Sequence, residues 1–487
     1  MSYGYRLRCC RPRPPCVDLE AEKPAIRVHS CIAVLIIGLM SAMLLADAKS
    51  EARCTVDEPG WITSGYVTWQ LVTDLAPPSQ WTSAFSKVGP WGHQNPPVAK
   101  LIIGAATALA KSPEAPVEYM WQWPADYDQN LIAGNLPPPA MLAEVRTVIS
   151  WFGIASLILV FLIAREVARP ARWAPLLAPL LLFSYDSFRV HACRVYSDVP
   201  QMAFTLTGLW CLLLWRRRGS TWLLAGACVA WGLACGTKFS SGAQVAGGMF
   251  FVAIVSAPWW KRCLRILVAG AVPSAIFVAV NPYLWLHPLD NTVAIIRLWS
   301  AGIVHQQHDP VLAPLRVTER LRALHLTLSR VILSPSHGRQ TPGFCGQVPR
   351  VLVALLVATA VAASVGAILR WRCRELCRRK LMFMFACAGA ALGVALFADG
   401  ASIAIAMLLV LGAWKVVQPG RGGFAVIYLA TLVATVWWLP FDWPRYYLPL
   451  LGVTSVLGAL GGAQIEAALP TRRLADRSRV AHDAIDI

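Results

Sequence analysis

The sequence predicts an all-α polytopic membrane protein, a bundle of about twelve transmembrane helices with long outer loops and interfacial helices. Three observations predict it. Hydrophobic residues make up 56% of the 487-residue chain and charged residues only 14%, where a soluble domain carries about 25% charge. The apolar runs are long and continuous. Lipid offers no water to the backbone, so only helices or closed barrels can span it, and barrel strands would alternate instead. Basic clusters punctuate the runs: Arg165, Arg169 and Arg172; Arg216 to Arg218; Lys261, Arg262 and Arg265; Arg370 to Lys380; Arg472 and Arg473. That is the positive-inside pattern. It accounts for much of the net charge of +18, and no helix-and-groove motif of a nucleic-acid binder accompanies it.

The elements follow in order. Residues 1–30 form a basic cytosolic arm, and 31–465 form the membrane domain. The first apolar run covers about 31–46 and could be a signal-peptide core, since "ADAKS" resembles a cleavage site. The long arm before it favours a retained anchor. An outer loop follows over 48–144, rich in Trp and Pro, with Trp61, Trp69, Trp81, Trp91, Trp121 and Trp123 suited to the headgroup level. Within it, Val98 to Ala110 is apolar but shorter than the ~20 residues a span needs, which predicts an interfacial helix. Spans two to seven are predicted near 145–164, 173–183, 200–215, 221–235, 242–259 and 264–280. A second outer loop occupies 281–350; its many arginines run against the charge bias, which binds long loops less. Five more spans are predicted near 351–369, 381–397, 400–417, 424–439 and 446–463, with a cytosolic tail at 466–487.

Fourteen cysteines show no CxxC spacing, and several lie inside apolar runs as small core residues. Cys54 and Cys345 both fall in loops placed outside, where a disulfide could join them. His305 and His308 stand three apart in "VHQQHDP", but two ligands without a third read better as solvated loop histidines than as a metal site.

The polar residues carry the chemistry. Under this topology Asp57, Glu58, Asn95, Lys100, Arg146, Asp198, Lys238, Asn281 and Arg445 all fall near outer ends of spans. Carboxylates beside a membrane bundle are costly and need a reason. Cations neutralise a phosphate leaving group, and a carboxylate accepts the proton of an attacking hydroxyl. A plain structural reading stands beside each. Asp57 and Glu58 would cap a helix starting at Pro59. Arg146 could snorkel, Lys100 could meet headgroups, Asp198 could cap span four beside Pro200, and Asn281 and Tyr283 could end span seven. A rival class, a transporter or lipid flippase, would place polar residues at the midplane in inverted repeats. Here they gather at one face and no repeat is visible.

"TVDEPGW", "HQNPPVAKLIIG", "EVRTVISWFG", "CRVYSDVPQMAF", "GLACGTKFSSG", "NPYLW" and "WPRYYLPLLG" occur in that order. The ordered set resembles the dolichyl-phosphate-mannose protein mannosyltransferase family, whose bacterial relatives include the lipid A aminoarabinose transferase. The resemblance covers about residues 30–285 and, through "RYYLP", part of the C-terminal third. It implies the GT-C fold and an inverting glycosyltransferase in the bacterial inner membrane or its equivalent, with its site on the non-cytosolic face. Its partners would be a polyprenyl-phosphate sugar donor and a protein, glycolipid or polysaccharide acceptor. The family's acidic pair matches Asp57 as general base and Glu58 as its helper. Lys100, Arg146, Lys238 and Arg445 match donor-phosphate contacts, and Asp198 an acceptor or metal contact. The family's "HPPLxK" motif reads Asn95-Pro96-Pro97-Val98-Ala99-Lys100 here, so its His is replaced by Asn95, with His93 two residues earlier. Some members hold a divalent metal ion and others do not, which leaves metal open.

Overall fold

The computed structural model describes residues 23–50, 53–88, 92, 95–111, 117–255, 259–306 and 444–468, with scattered positions between 408 and 432. Among these the fold is all helix, with no strand. The spans predicted at 351–369 and 381–397, most of those at 400–417 and 424–439, and Cys345, His308 and His93 lie outside the described residues.

Helix α1 (Lys23–Ser50) contains the first apolar run. The outer loop after it is mostly helical: α2 (Glu58–Thr73), α3 (Pro78–Lys87), α4 (Pro97–Ala110) and α5 (Tyr127–Ile132). The predicted interfacial helix is thus α4, one residue longer at its start because Pro97 suits the first turn, where no N–H is needed. Span two is α6 (Pro139–Val167), again opened by a proline. Span three is a short 3-10 turn over Ala174–Leu176 running into α7 (Leu177–Ser184). The polar turn after it holds α8 (Asp186–Ala192). Spans four to seven are α9 (Asp198–Arg218), α10 (Thr221–Thr237), α11 (Gly242–Val255) and α12 (Trp259–Ala279). Helix α9 stops where Gly219 takes a left-handed φ of 71° just past the triple arginine. The start of the second outer loop forms α13 (Pro288–Gln306). The last apolar run is α14 (Leu448–Ala468), entered through a 3-10 turn at Pro444–Tyr447.

Four described helical segments are long and apolar enough to cross a bilayer: His29–Ser50, Pro139–Val167, Trp259–Ala279 and Arg445–Ala467. That is the composition and architecture of an integral membrane protein, while the count of about twelve spans is not reached by the described residues. Helix α14 is the buried axis of the bundle and packs against α6, α7 and α9. Helix α12 lies at the periphery, exposing Leu264 and Leu267 as a lipid-facing helix would. Helices α2 and α4 cross at a pair of glycines. A Cβ on Gly104 would lie 2.1 Å from the Gly65 carbonyl oxygen, so no side chain fits there. Close backbone approach of this kind is how helices pack where lipid gives no hydrophobic drive.

Gly104→Leu is therefore expected to destabilise the folded protein by at least ~1–3 kcal/mol, the usual cost of overpacking. Leu109→Ala, at an exposed position of the same helix, is expected to change little. Thermal unfolding of the detergent-solubilised pair checks this.

Candidate active site

The fold gathers five chain segments at one end. These are the turn between α1 and α2, the second turn of α6, the first residue of α9, the residue after α10 and the 3-10 turn before α14. They carry Asp57 and Glu58, Arg146, Asp198, Lys238 and Arg445 respectively. Helix reversal at the basic clusters is what returns each successive segment to the same side.

Glu58 is the junction. Its two oxygens receive Arg146 Nε at 2.8 Å and Arg146 Nη2 at 2.7 Å, a bidentate pair in which both side chains are fully buried. Glu58 also accepts the backbone N–H of Thr55 at 2.8 Å and of Val195 at 3.0 Å. Arg146 Nη2 donates in addition to the Arg53 carbonyl at 2.8 Å. One carboxylate thus joins the first loop, α6 and the turn before α9. Ser150, one turn along α6, donates to the Ala192 carbonyl at 3.0 Å and closes the same seam. Cys54 sits beside Glu58, and burial together with that carboxylate pushes its thiol pKa well up.

Asp57 is placed otherwise. It occupies the N-cap position of α2, yet its side chain makes no capping hydrogen bond; it pairs with Arg445, 388 residues away. Asp198 pairs with Lys238 rather than capping α9. These two pairs meet through aromatic rings. Arg445 lies over Tyr196 at 4.9 Å and Tyr446 at 5.6 Å, and Lys238 lies over Tyr446 at 4.2 Å. The Tyr196 hydroxyl donates to Thr55 Oγ1 at 2.9 Å, beside the acidic pair. Asp57 and Arg445 keep 20% and 14% of their side-chain surface, against none for Glu58 and Arg146. The first pair can meet a ligand and the second cannot without opening the structure. Burial holds the Lys238 ammonium pKa below its ordinary range although Asp198 opposes this. Neighbouring His191 is driven down to about 4 by burial, so it is neutral at pH 7, with Nδ1 2.7 Å from the Ser187 carbonyl.

Lys100 stands apart. Its ammonium donates to the Gly92 carbonyl and to the Asn95 carbonyl at 2.7 Å, and it lies over the Phe85 ring at 4.7 Å. It is fully buried, which lowers its pKa to about 7. Asn281 is buried in the 3-10 turn after α12. Sequence reasoning passed over Tyr196 and Thr55. The signal was there in "RVYSD", an aromatic two residues before the turn's carboxylate, but only the fold shows that its ring lies under Arg445.

A divalent metal does not fit this donor set. Asp57, Glu58 and Asp198 each face a cationic side chain. Among the described residues no three of His, Cys, Asp and Glu converge. The charges are arranged as ion pairs.

Residues 63–287 match the dolichyl-phosphate-mannose-protein mannosyltransferase family. The match takes in Lys100, Arg146, Asp198, Lys238 and Asn281; it begins just past the acidic pair and ends before Arg445. No curated protein matches the chain. Among solved structures, the Archaeoglobus fulgidus oligosaccharyltransferase AglB, in complex with an inhibitory peptide and a dolichol-phosphate, is similar at 13% identity with a TM-score of 0.45. The alignment covers 92% of this chain and 51% of that one. An Archaeoglobus fulgidus oligosaccharyltransferase tethered with an acceptor peptide gives 13% identity and a TM-score of 0.46, covering 91% and 50%. ArnT from Cupriavidus metallidurans gives 12% and 0.30, covering 91% and 78%. The chain spans about half the length of the archaeal enzyme it matches.

Two expectations follow from the geometry. Truncating one member of the buried pair, as in Glu58→Ala, leaves the other charge unpaired in the interior and is expected to cost ~3–5 kcal/mol, with the Glu58→Met, Arg146→Met double variant losing less than the sum of its singles. A double-mutant cycle on thermal unfolding checks this. The second concerns Lys100, which in the unfolded chain holds its proton up to the usual 10.5 but in the fold releases it near 7. Between those values the unfolded state binds more protons, so stability rises with pH. Lys100→Met is expected to abolish that rise in a melting series across pH 7 to 10.5.

Proposed function

We propose that this chain is an integral membrane glycosyltransferase that moves a sugar from a polyprenyl-phosphate donor to an acceptor hydroxyl with inversion at the anomeric carbon. The observation that carries this reading is the meeting of Asp57, Asp198, Lys238 and Arg445, with two tyrosines, in one partly open cluster at one end of a membrane bundle. In the ligand-free arrangement the two cations are neutralised by the two carboxylates. A donor phosphate would compete for Arg445 and Lys238 and free Asp57. Asp57 then takes the acceptor's proton as the hydroxyl oxygen attacks the anomeric carbon. The bond from that carbon to the phosphate oxygen breaks, and Arg445 and Lys238 receive the charge that develops on the leaving phosphate. Arg445 suits this role because its planar guanidinium can bond two phosphate oxygens at once.

Glu58 and Arg146 act as positioning residues in this scheme. Their pair fixes residue 57 relative to the turn that carries Tyr196 and Asp198. Lys100 holds the loop before α4 closed through the Gly92 and Asn95 carbonyls. The described basic clusters, at 165–172, 216–218 and 261–265, lie at the opposite end, and by the positive-inside rule this supports a site on the non-cytosolic face. A mannosyl-phosphate lipid is the first donor to test, because of the family matched.

Purified wild type and Asp57→Asn, offered a panel of radiolabelled polyprenyl-phosphate sugars with a membrane extract as acceptor, test the reading. Transfer from one donor is expected in the wild type, falling ~10²–10⁴-fold in the variant. Full turnover by folded Asp57→Asn, or no transfer from any donor by folded wild type, would contradict it. Arg445→Gln is expected to lower transfer ~10²–10³-fold at saturating donor, as the loss of one preorganised charge partner of a developing oxyanion does.

A further inference from the structure

The end of the bundle away from the acidic pair holds a second polar feature that the glycosyl-transfer scheme does not use. A cavity of about 310 Å³ is lined by Arg165, Arg169 and Arg172 together with His29, Phe161 and Leu176. That volume lies at the lower end of small-ligand pockets, about 300–1,000 Å³. Arg165 and Arg146 lie on the same helix, 19 residues apart, which is about 28 Å at 1.5 Å per residue. One bilayer core, about 30 Å thick, separates the two ends. The cavity therefore opens at the opposite membrane surface.

Its walls are fixed. Glu466 of α14 accepts the backbone N–H groups of Arg172 at 2.6 Å, Trp173 at 3.0 Å and Ala174 at 3.1 Å, clamping the turn between α6 and α7. His29 of α1 packs against Trp173 in a tilted contact with ring centroids 3.9 Å apart. Glu166 bridges Arg169 at 3.3 Å and Arg217 at 2.9 Å. Arg165, Arg169 and Arg172 thus line one cavity, and Glu166 beside it is shared between Arg169 and Arg217. Apolar Phe161 and Leu176 complete the lining.

We propose that this cavity is a binding site for a phosphate anion, supplied by the headgroup of an anionic phospholipid at the membrane surface opposite the acidic cluster. Guanidinium forks match phosphate oxygens, and basic pockets between membrane helices select anionic headgroups. The apolar border seats the first acyl carbons.

The full-length protein, purified in a mild detergent, is to be examined by native mass spectrometry with phosphatidylglycerol, with phosphatidylcholine, and with phosphatidylglycerol plus inorganic phosphate. The wild type is expected to retain one phosphatidylglycerol in preference to phosphatidylcholine. The Arg165→Gln, Arg172→Gln double variant is expected to retain it about tenfold less or weaker still. Ala171→Trp, which fills the cavity and keeps every charge, is expected to do the same should the double variant fold poorly; unchanged melting of either variant shows that it folds. Persistence of the lipid in the presence of inorganic phosphate assigns the headgroup as the source, and displacement by it assigns free phosphate. Equal retention of both lipids, or equal retention by wild type and a folded variant, would overturn the proposal.

Discussion

The bidentate contact between Glu58 and Arg146 is the constraint on which the rest of this structure depends. Two full charges are buried with no surface exposed, and the penalty for burying them is offset by a dense set of hydrogen bonds. Arg146 gives two bonds to Glu58 and one to a backbone carbonyl; Glu58 takes two more from backbone N–H groups. Such a pair adds little stability over an apolar replacement but is costly to break. It therefore specifies position. The first loop cannot slide along α6, and the turn before α9 cannot move away from either. The neighbouring residue, Asp57, inherits that position.

The site is a set of charges that neutralise one another until a ligand arrives. Asp57 with Arg445 and Asp198 with Lys238 keep the cluster near neutral, a requirement at the edge of a low-dielectric bundle. The Tyr446 ring lies against both cations and Tyr196 against Arg445, without adding negative charge. In the proposed mechanism a phosphate exchanges for the carboxylates on the two cations, and the carboxylate it releases is the base. That exchange is the physical content of the proposed mechanism, and it explains why the open pair and the sealed pair sit one residue apart in sequence.

Much of this was legible in the chain. Apolar runs and arginine clusters placed α4 and α9 to α12 within about five residues and found α1 and α6, whose starts lie earlier, at Lys23 and Pro139, than the apolar runs they carry. The same alternation predicted that Asp57, Arg146, Asp198, Lys238 and Arg445 would share a side. Pairing was not legible. The carboxylates at 57 and 58 look equivalent in sequence, and both read as possible caps. Only the packing of α6 and α14 turns one to a sealed arginine and the other to an open one. Lys100 reads as one more phosphate ligand by residue type, yet two carbonyls of its own preceding loop hold it. Tyr196 escaped because an aromatic in an outer turn is ordinary in a membrane protein until a guanidinium lies over it.

In the proposed mechanism Arg445 and Lys238 hold one phosphate, with Asp57 close by. Photo-crosslinking tests it most directly, using a polyprenyl phosphate that carries its photoreactive group beside the phosphate, with the labelled residues mapped by mass spectrometry. The account predicts label on the segments around Asp57, Tyr196, Lys238 and Arg445, suppressed by unlabelled polyprenyl phosphate. Suppressible label confined to the arginine-lined end of α6, or to none of these segments, would contradict it.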